Sequence, residues 1–205
     1  MDDKTKIADA TYGSDLSGLK LDKNKTYSTN KTYSTNEIYF FEAQNILKAN
    51  LDYLGGMPDK KPDSFDTYFL LKLHKEMFDD VWDWAGKIRT VDLNFGVKAY
   101  LVSTELRKLV DDLNFWHKNK NFDVVEIAAR LHHRAVVIHP FINGNGRWSR
   151  MLANIYLKQN SLSPTKWNED LLAKENVHRG DYIRALKQAD NGDYAPLIKL
   201  QGNLT

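Results

Sequence analysis

The sequence predicts a mainly α-helical domain carrying one short β-hairpin, and three observations support this. Val124, Ala128, Leu131, Ala135 and Ile138 step by 4, 3, 4 and 3, a helical period. Similar apolar spacing recurs in most of the chain after Glu37. The exception is KIRTVDLNFGVKAYLV, residues 87–102, which alternates and is rich in β-branched and aromatic residues around Asn94-Phe95-Gly96, as a hairpin does.

Residues 1–36 are polar and contain a perfect tandem hexapeptide, KTYSTN at 25–30 and again at 31–36. Six residues cannot form a packed repeat unit, so the reading is a weakly ordered leader or a phosphorylatable Ser/Thr/Tyr tract, followed by one domain over 37–205. Ile38, Phe41, Asn45/Ile46 and Ala49 approximate helical spacing, and Gly55-Gly56 with Pro58 supplies a stop. Ser64 is placed to cap a helix with Tyr68, Leu71, Phe78 and Trp82 on it, reaching Gly86. After the hairpin, Ser103 or Thr104 with Glu105 opens a helix bearing Leu106, Leu109, Val110 and Leu113. The most regular helix follows Asn121. Another fits Trp148, Met151, Leu152 and Ile155 and ends near Asn160 and Pro164. The last helical region covers about 180–189, with Asn191-Gly192 as its stop and a short helix after Pro196.

With 205 residues, 42% of them hydrophobic, the chain can bury a substantial core. Its 29 basic and 27 acidic residues leave a formal net charge of +2, too balanced for a phosphate-backbone binder, so nucleic acid is not the expected partner. The absence of cysteine excludes disulfides, a cysteine nucleophile and thiolate metal sites. The start, MDDKTKIADA, lacks the apolar core of a secretory signal, and the apolar runs fall far short of the ~20 residues that span a bilayer. The expectation is a soluble, cytoplasmic protein with no membrane partner.

The candidate chemistry lies in HPFINGNGRWSR, residues 139–150. Pro140 disfavours helical geometry at His139, so the preceding helix should end there and deliver the imidazole to the loop. With an unperturbed pKa of roughly 6.5, a neutral ring is available to accept a proton from a hydroxyl; a structural role is the alternative, and His132 and His133 are read that way. Asn143-Gly144-Asn145-Gly146 then leads into a helix beginning near Arg147. Its glycines permit close backbone approach, and a helix N-terminus attracts anions, although an ordinary glycine-rich turn would read the same. Arg147 and Arg150 are three apart on the first turn, where cations oppose the helix dipole. Their placement makes sense if an anion occupies the loop; a solvated surface pair is the alternative. Base, cradle and two guanidinium groups together suit phosphoryl or nucleotidyl transfer. Neither a Walker-type phosphate loop nor a His-Glu-x-x-His zinc motif is present.

HPFINGNGRWSR resembles the Fic motif, H-x-F-x-[D/E]-G-N-G-R-x-x-R, at every fixed position but one. WDWAGKIRTVDLNFGVKAY, Trp82 to Tyr100, looks like the helix end and β-hairpin flap of Fic domains, and YIRALKQADNGDYAPL, Tyr182 to Leu197, like their C-terminal helical region. The resemblance covers roughly 37–200. It implies a Fic-type helical bundle and a protein adenylyltransferase that moves AMP from ATP to a hydroxyl of a target protein, itself included. By that resemblance His139 is the general base, Phe141 the loop anchor, Gly144, Asn145 and Gly146 the phosphate cradle, and Arg147 and Arg150 the phosphate clamps. Leu93, Asn94, Phe95, Gly96, Val97 and Lys98 form the flap that aligns the target by strand addition. The departure is Asn143, where the family usually has the acid that holds Mg²⁺; an amide there implies weaker metal binding, an altered donor, or a nucleotide-binding module with little catalysis. Related phosphoryl transfer and removal of AMP are the neighbouring chemistries. The family's inhibitory motif has no full match; Glu37 and Glu42 on the first helix read as ordinary surface glutamates, with restraint of Arg150 by either as the alternative.

Overall fold

A computed structural model describes residues 18–20, 34–56, 62, 64–169, 172 and 176–202. Its helices are α1 (Thr35–Leu54), α2 (Thr67–Phe78), α3 (Val102–Asn119), α4 (Val124–Ile138), α5 (Asn145–Gln159), α6 (Val177–Asp190) and α7 (Ala195–Gln201). The chain is mainly α, as expected.

Local chemistry accounts for most boundaries. Ser34 and Glu37 form a reciprocal capping box at the start of α1. Asp66, rather than Ser64, caps α2 by accepting from Phe69 N at 2.7 Å. Asp123 caps α4 by accepting from Glu126 N at 2.8 Å, and α4 ends at His139, which adopts the left-handed conformation with φ 51° and ψ 61°. α2 stops at Phe78 instead of running to Gly86 because the next residues find partners elsewhere. Asp80 N donates to Asn45 Oδ1, the Trp82 indole donates to Glu42, and Val81 and Asp83 pair with Lys20 and Gly18. Residues 18–20 of the polar leader therefore contact the helical body; the first copy of the KTYSTN repeat and the start of the second lie outside the described residues.

α4 and α5, joined by the short loop 139–144, make the most extensive helix interface. α3 packs on α4, α1 and α2 pack on each other and on α5, and α6 and α7 pair, with α7 resting on α4. Trp82, Phe141, Trp148, Leu106, Leu131 and Leu152 are fully buried in the main core. A smaller cluster of Ala129, Val136, Tyr182, Leu186 and Leu197 seals α6 and α7.

The expected β-hairpin over 87–102 is absent: among the described residues this stretch is irregular and runs into a 3₁₀ turn, Ala99–Leu101. One guanidinium explains it. Arg89, only 2% exposed, donates from Nε to His139 O at 2.7 Å, from Nη1 to Val91 O at 2.8 Å and from Nη2 to Val97 O. Carbonyls on both arms of the loop are thus taken by an arginine rather than by cross-strand amides, and Asp92 completes the closure by accepting from Ala99 N at 2.8 Å. The loop lies against His139, with Phe95 edge-on to its ring at 5.2 Å. Gly96 has φ +103°, and a Cβ there would come within 2.6 Å of His139 Cβ.

Removing Arg89 strands three carbonyls at once, that of His139 buried and those of Val91 and Val97 partly so. Arg89→Ala should destabilise the fold by about 3 kcal/mol or more in urea unfolding, whereas a loss under about 1 kcal/mol would mean that the flap is held by other contacts.

Candidate active site

Phe141 fixes the loop after α4. Its ring is fully buried, stacks on His74 at 3.5 Å between centroids and meets Trp148 edge-on at 5.0 Å. Asn145 then clasps the same residue from both sides: its Oδ1 accepts from Phe141 N and its Nδ2 donates to Phe141 O, both at 2.9 Å. Asn145 is therefore a backbone clasp as well as the first residue of α5. Gly144 stands at φ +78°, where a Cβ would meet the Phe78 ring at 2.6 Å, so the turn into α5 demands glycine.

His74 is a site residue that the sequence reading missed. Gly86 N donates to its Nδ1 at 2.9 Å, which makes the ring the Nε2–H tautomer, and Nε2 donates to Asn143 O at 3.0 Å. Burial lowers its pKa to about 3, with Arg147 pushing in the same direction and the Asn143 bond opposing. The signal was weak, since a histidine among Leu70, Leu73 and Met77 reads as part of a core face.

His139 is largely buried, with Phe95 edge-on to its ring at 5.2 Å. Its Nδ1 lies 3.3 Å from Val136 O, which can only accept, so Nδ1 carries the proton of the neutral ring and Nε2 keeps the lone pair. α5 begins beside it at Gly144 with no side-chain cap and no acid in the first turn. The positive end of that helix dipole is thus not met by the usual cap.

Both motif arginines hold carboxylates, and the two diverge. Arg147 reaches α1, donating from Nη1 to Glu42 Oε2 at 2.9 Å, and lies over the Phe78 ring at 4.8 Å. Its Nε and Nη2 are buried without a hydrogen-bond partner. Arg150, 2% exposed, turns towards α6; its Nε donates to Glu169 Oε1 at 2.9 Å and its Nη2 to Glu169 Oε2. Glu42 therefore sits on Arg147, the Glu37 carboxylate is engaged by Ser34, and among the described residues the carboxylate placed on Arg150 is Glu169. Nothing local in the sequence marks Glu169, which lies 19 positions beyond Arg150.

Magnesium requires hard oxygen ligands. Asn143 Oδ1 accepts from Gly144 N at 2.6 Å, and no group of three or more potential ligand side chains occurs among the described residues. The residues present do not fit a metal site built by the protein alone.

A profile of the Fic/DOC family matches residues 64–157, the stretch that contains α2, the flap, α4 and the loop into α5. This segment is a Fic/DOC segment. The chain is 26% identical over 163 residues to a protein named protein adenylyltransferase Fic from Nematostella vectensis, a match covering 78% of this chain and 36% of that protein. It is 30% identical over 145 residues to protein adenylyltransferase fic-1 from Caenorhabditis elegans, covering 68% of this chain and 27% of that one. The chain thus corresponds to about a third or less of these curated relatives. A solved segment of Fic-1 from Caenorhabditis elegans aligns with a TM-score of 0.65 at 25% identity, over 86% of this chain and 51% of that one. The Fic fold also appears in BepC from Bartonella tribocorum, solved with bound AMPPNP, with a TM-score of 0.62 at 21% identity over 90% of this chain and 94% of that one. No helix among the described residues is long and apolar enough to cross a membrane.

The low pKa of His74 has a pH signature. Between about pH 3 and 6.5 the unfolded chain binds a proton at this position that the native state does not. Stability is therefore complete above about 6.5 and is lost as the pH falls towards 3. From pH 7.5 to pH 5.5, wild type should lose about 1.4 kcal/mol more than His74→Gln in chemical denaturation; equal losses would show that His74 does not stay neutral in the fold.

Proposed function

We propose that this Fic domain is a protein adenylyltransferase that uses ATP to place AMP on a hydroxyl side chain of a protein, its own chain included. The observation that carries this reading is the juxtaposition within residues 139–150: a histidine with Nδ1 committed to a carbonyl, next to a helix N-terminus without a side-chain cap. The names of the curated relatives support the same chemistry, and the AMPPNP in one structural neighbour supports a nucleotide as donor.

In this reading the acceptor oxygen attacks the α-phosphorus of ATP, its proton passes to His139 Nε2, and the bond to the bridging oxygen breaks as pyrophosphate leaves. The N–H groups at the start of α5, including Asn145 and Gly146, face the phosphates with the positive end of the helix dipole. The unpartnered donors of Arg147 add to this field, and Arg150 grips phosphate oxygens through the guanidinium edge that Glu169 now covers. Leu93 to Lys98 guide the target to His139 across Phe95 and Gly96. Without an acid at 143, the arginines and helix dipole carry more of the neutralisation of the polyphosphate charge, which puts an active enzyme with a weakened magnesium site ahead of the other readings.

Labelled ATP in a lysate should transfer label to protein with wild type, and His139→Ala should lower the rate by about 100-fold or more. Transfer that survives the substitution removes His139 as the base, and a product lighter or heavier than protein plus AMP removes adenylylation. Asn143→Asp should lower the Mg²⁺ concentration for half-maximal transfer by about threefold or more; an unchanged value would refute the account of residue 143.

A further inference from the structure

Among the described residues a buried polar network runs from Arg150 to the end of α7. Arg150 Nη1 lies 3.4 Å from the Tyr182 hydroxyl on α6, and that hydroxyl lies 2.9 Å from His132 Nε2 on α4. His132 Nδ1 lies 3.1 Å from Gln201 Oε1 on α7. Gln201 Nε2 continues to Thr165 Oγ1 at 2.8 Å and Asn154 Oδ1 at 3.5 Å. Arg150, His132, Tyr182 and Gln201 are all at most 4% exposed.

The directions of these bonds follow from the chemistry of each group. Gln201 Oε1 can only accept, so His132 Nδ1 donates to it, and the neutral ring presents a lone pair at Nε2. The Tyr182 O–H donates into that lone pair. Its oxygen is thereby turned to accept from Arg150, which can only donate. Four helices thus agree on one orientation of a single hydroxyl, with the Tyr182 ring stacked against His132 and 5.5 Å from the Arg150 guanidinium carbon.

We infer that Tyr182 is a positioning residue for Arg150, its hydroxyl aimed by His132 and Gln201, and that this relay presents the Nε/Nη2 edge of Arg150 to the nucleotide phosphates. The inference rests on the adenylyltransferase reading and deepens it. Arg150 has two unlike edges: Nη1 faces the buried Tyr182, whereas Nε and Nη2 face Glu169, whose side chain is 48% exposed. A polyphosphate that displaces Glu169 meets a guanidinium already held from behind, so the cost of ordering the side chain is met by the fold before the ligand arrives.

Two measurements on the whole chain test this. The first needs no nucleotide: the rate of rotation about the Arg150 Nε–Cζ bond, followed by ¹⁵N exchange NMR on a resonance assigned by its loss in Arg150→Lys. Tyr182→Phe should speed rotation about fivefold or more, and an unchanged rate overturns the inference. The second is transfer kinetics: Tyr182→Phe should raise the KM for ATP about five- to tenfold with kcat within about twofold. His132→Gln, which keeps an acceptor for the hydroxyl, should retain a KM nearer wild type than His132→Ala does. Faster rotation with an unchanged KM, or equal KM values for the two His132 variants, overturns a role in nucleotide binding. Wild type that neither binds nor consumes ATP sinks the adenylyltransferase reading, while the NMR arm still decides whether Tyr182 holds Arg150.

Discussion

The site depends on a largely buried length of backbone that no helix can satisfy. Residues 139–144 pass between α4 and α5, and their polar groups need partners supplied by side chains or other segments. Arg89 provides its Nε for His139 O and its backbone N for Pro140 O. Asn145 takes both polar groups of Phe141, His74 takes Asn143 O, and Asn143 itself covers Gly144 N. Leaving such a buried group unpaired costs about 1–3 kcal/mol, so the partners together fix the path of the loop. That path sets the left-handed geometry of His139 and the bare start of α5.

The electrostatics follow from the same architecture. Arginines at the third and sixth positions of a helix, Arg147 in the first turn of α5 and Arg150 in the next, stand near the positive end of the dipole and need anions nearby. Among the described residues, two carboxylates of different character meet them: Glu42, 2% exposed and bonded to the Trp82 indole as well as to Arg147, and Glu169, half-exposed. The buried pair belongs to the framework, because breaking it would strand a charge. In the proposed reaction the outer pair is the exchangeable one, since water can solvate Glu169 once a ligand takes its place.

Features set by neighbours in sequence were legible without the structure. The 4-3-4-3 spacing gave α4, and Pro140 correctly ended it at His139. The helical class and the family pattern around Phe141, Gly144 and Asn145 were readable for the same reason. Features set by distant partners were not. A reading of residues 87–102 as a hairpin took the alternation correctly but could not foresee that Arg89 would occupy carbonyls on both arms. The two arginines were expected to lean over one loop, and carboxylates 105 positions before Arg147 and 19 positions after Arg150 draw them apart. His74 and Tyr182 look like ordinary core residues until their bonds are seen.

The central claim is that the start of α5 is a polyphosphate site whose outer carboxylate gives way to the ligand. A crystal structure with a non-hydrolysable ATP analogue tests it most directly. The account predicts phosphates against the first turn of α5, Arg150 bonded to phosphate oxygen, and Glu169 released into solvent. An analogue bound elsewhere, or bound with the Arg150–Glu169 pair intact, would contradict it.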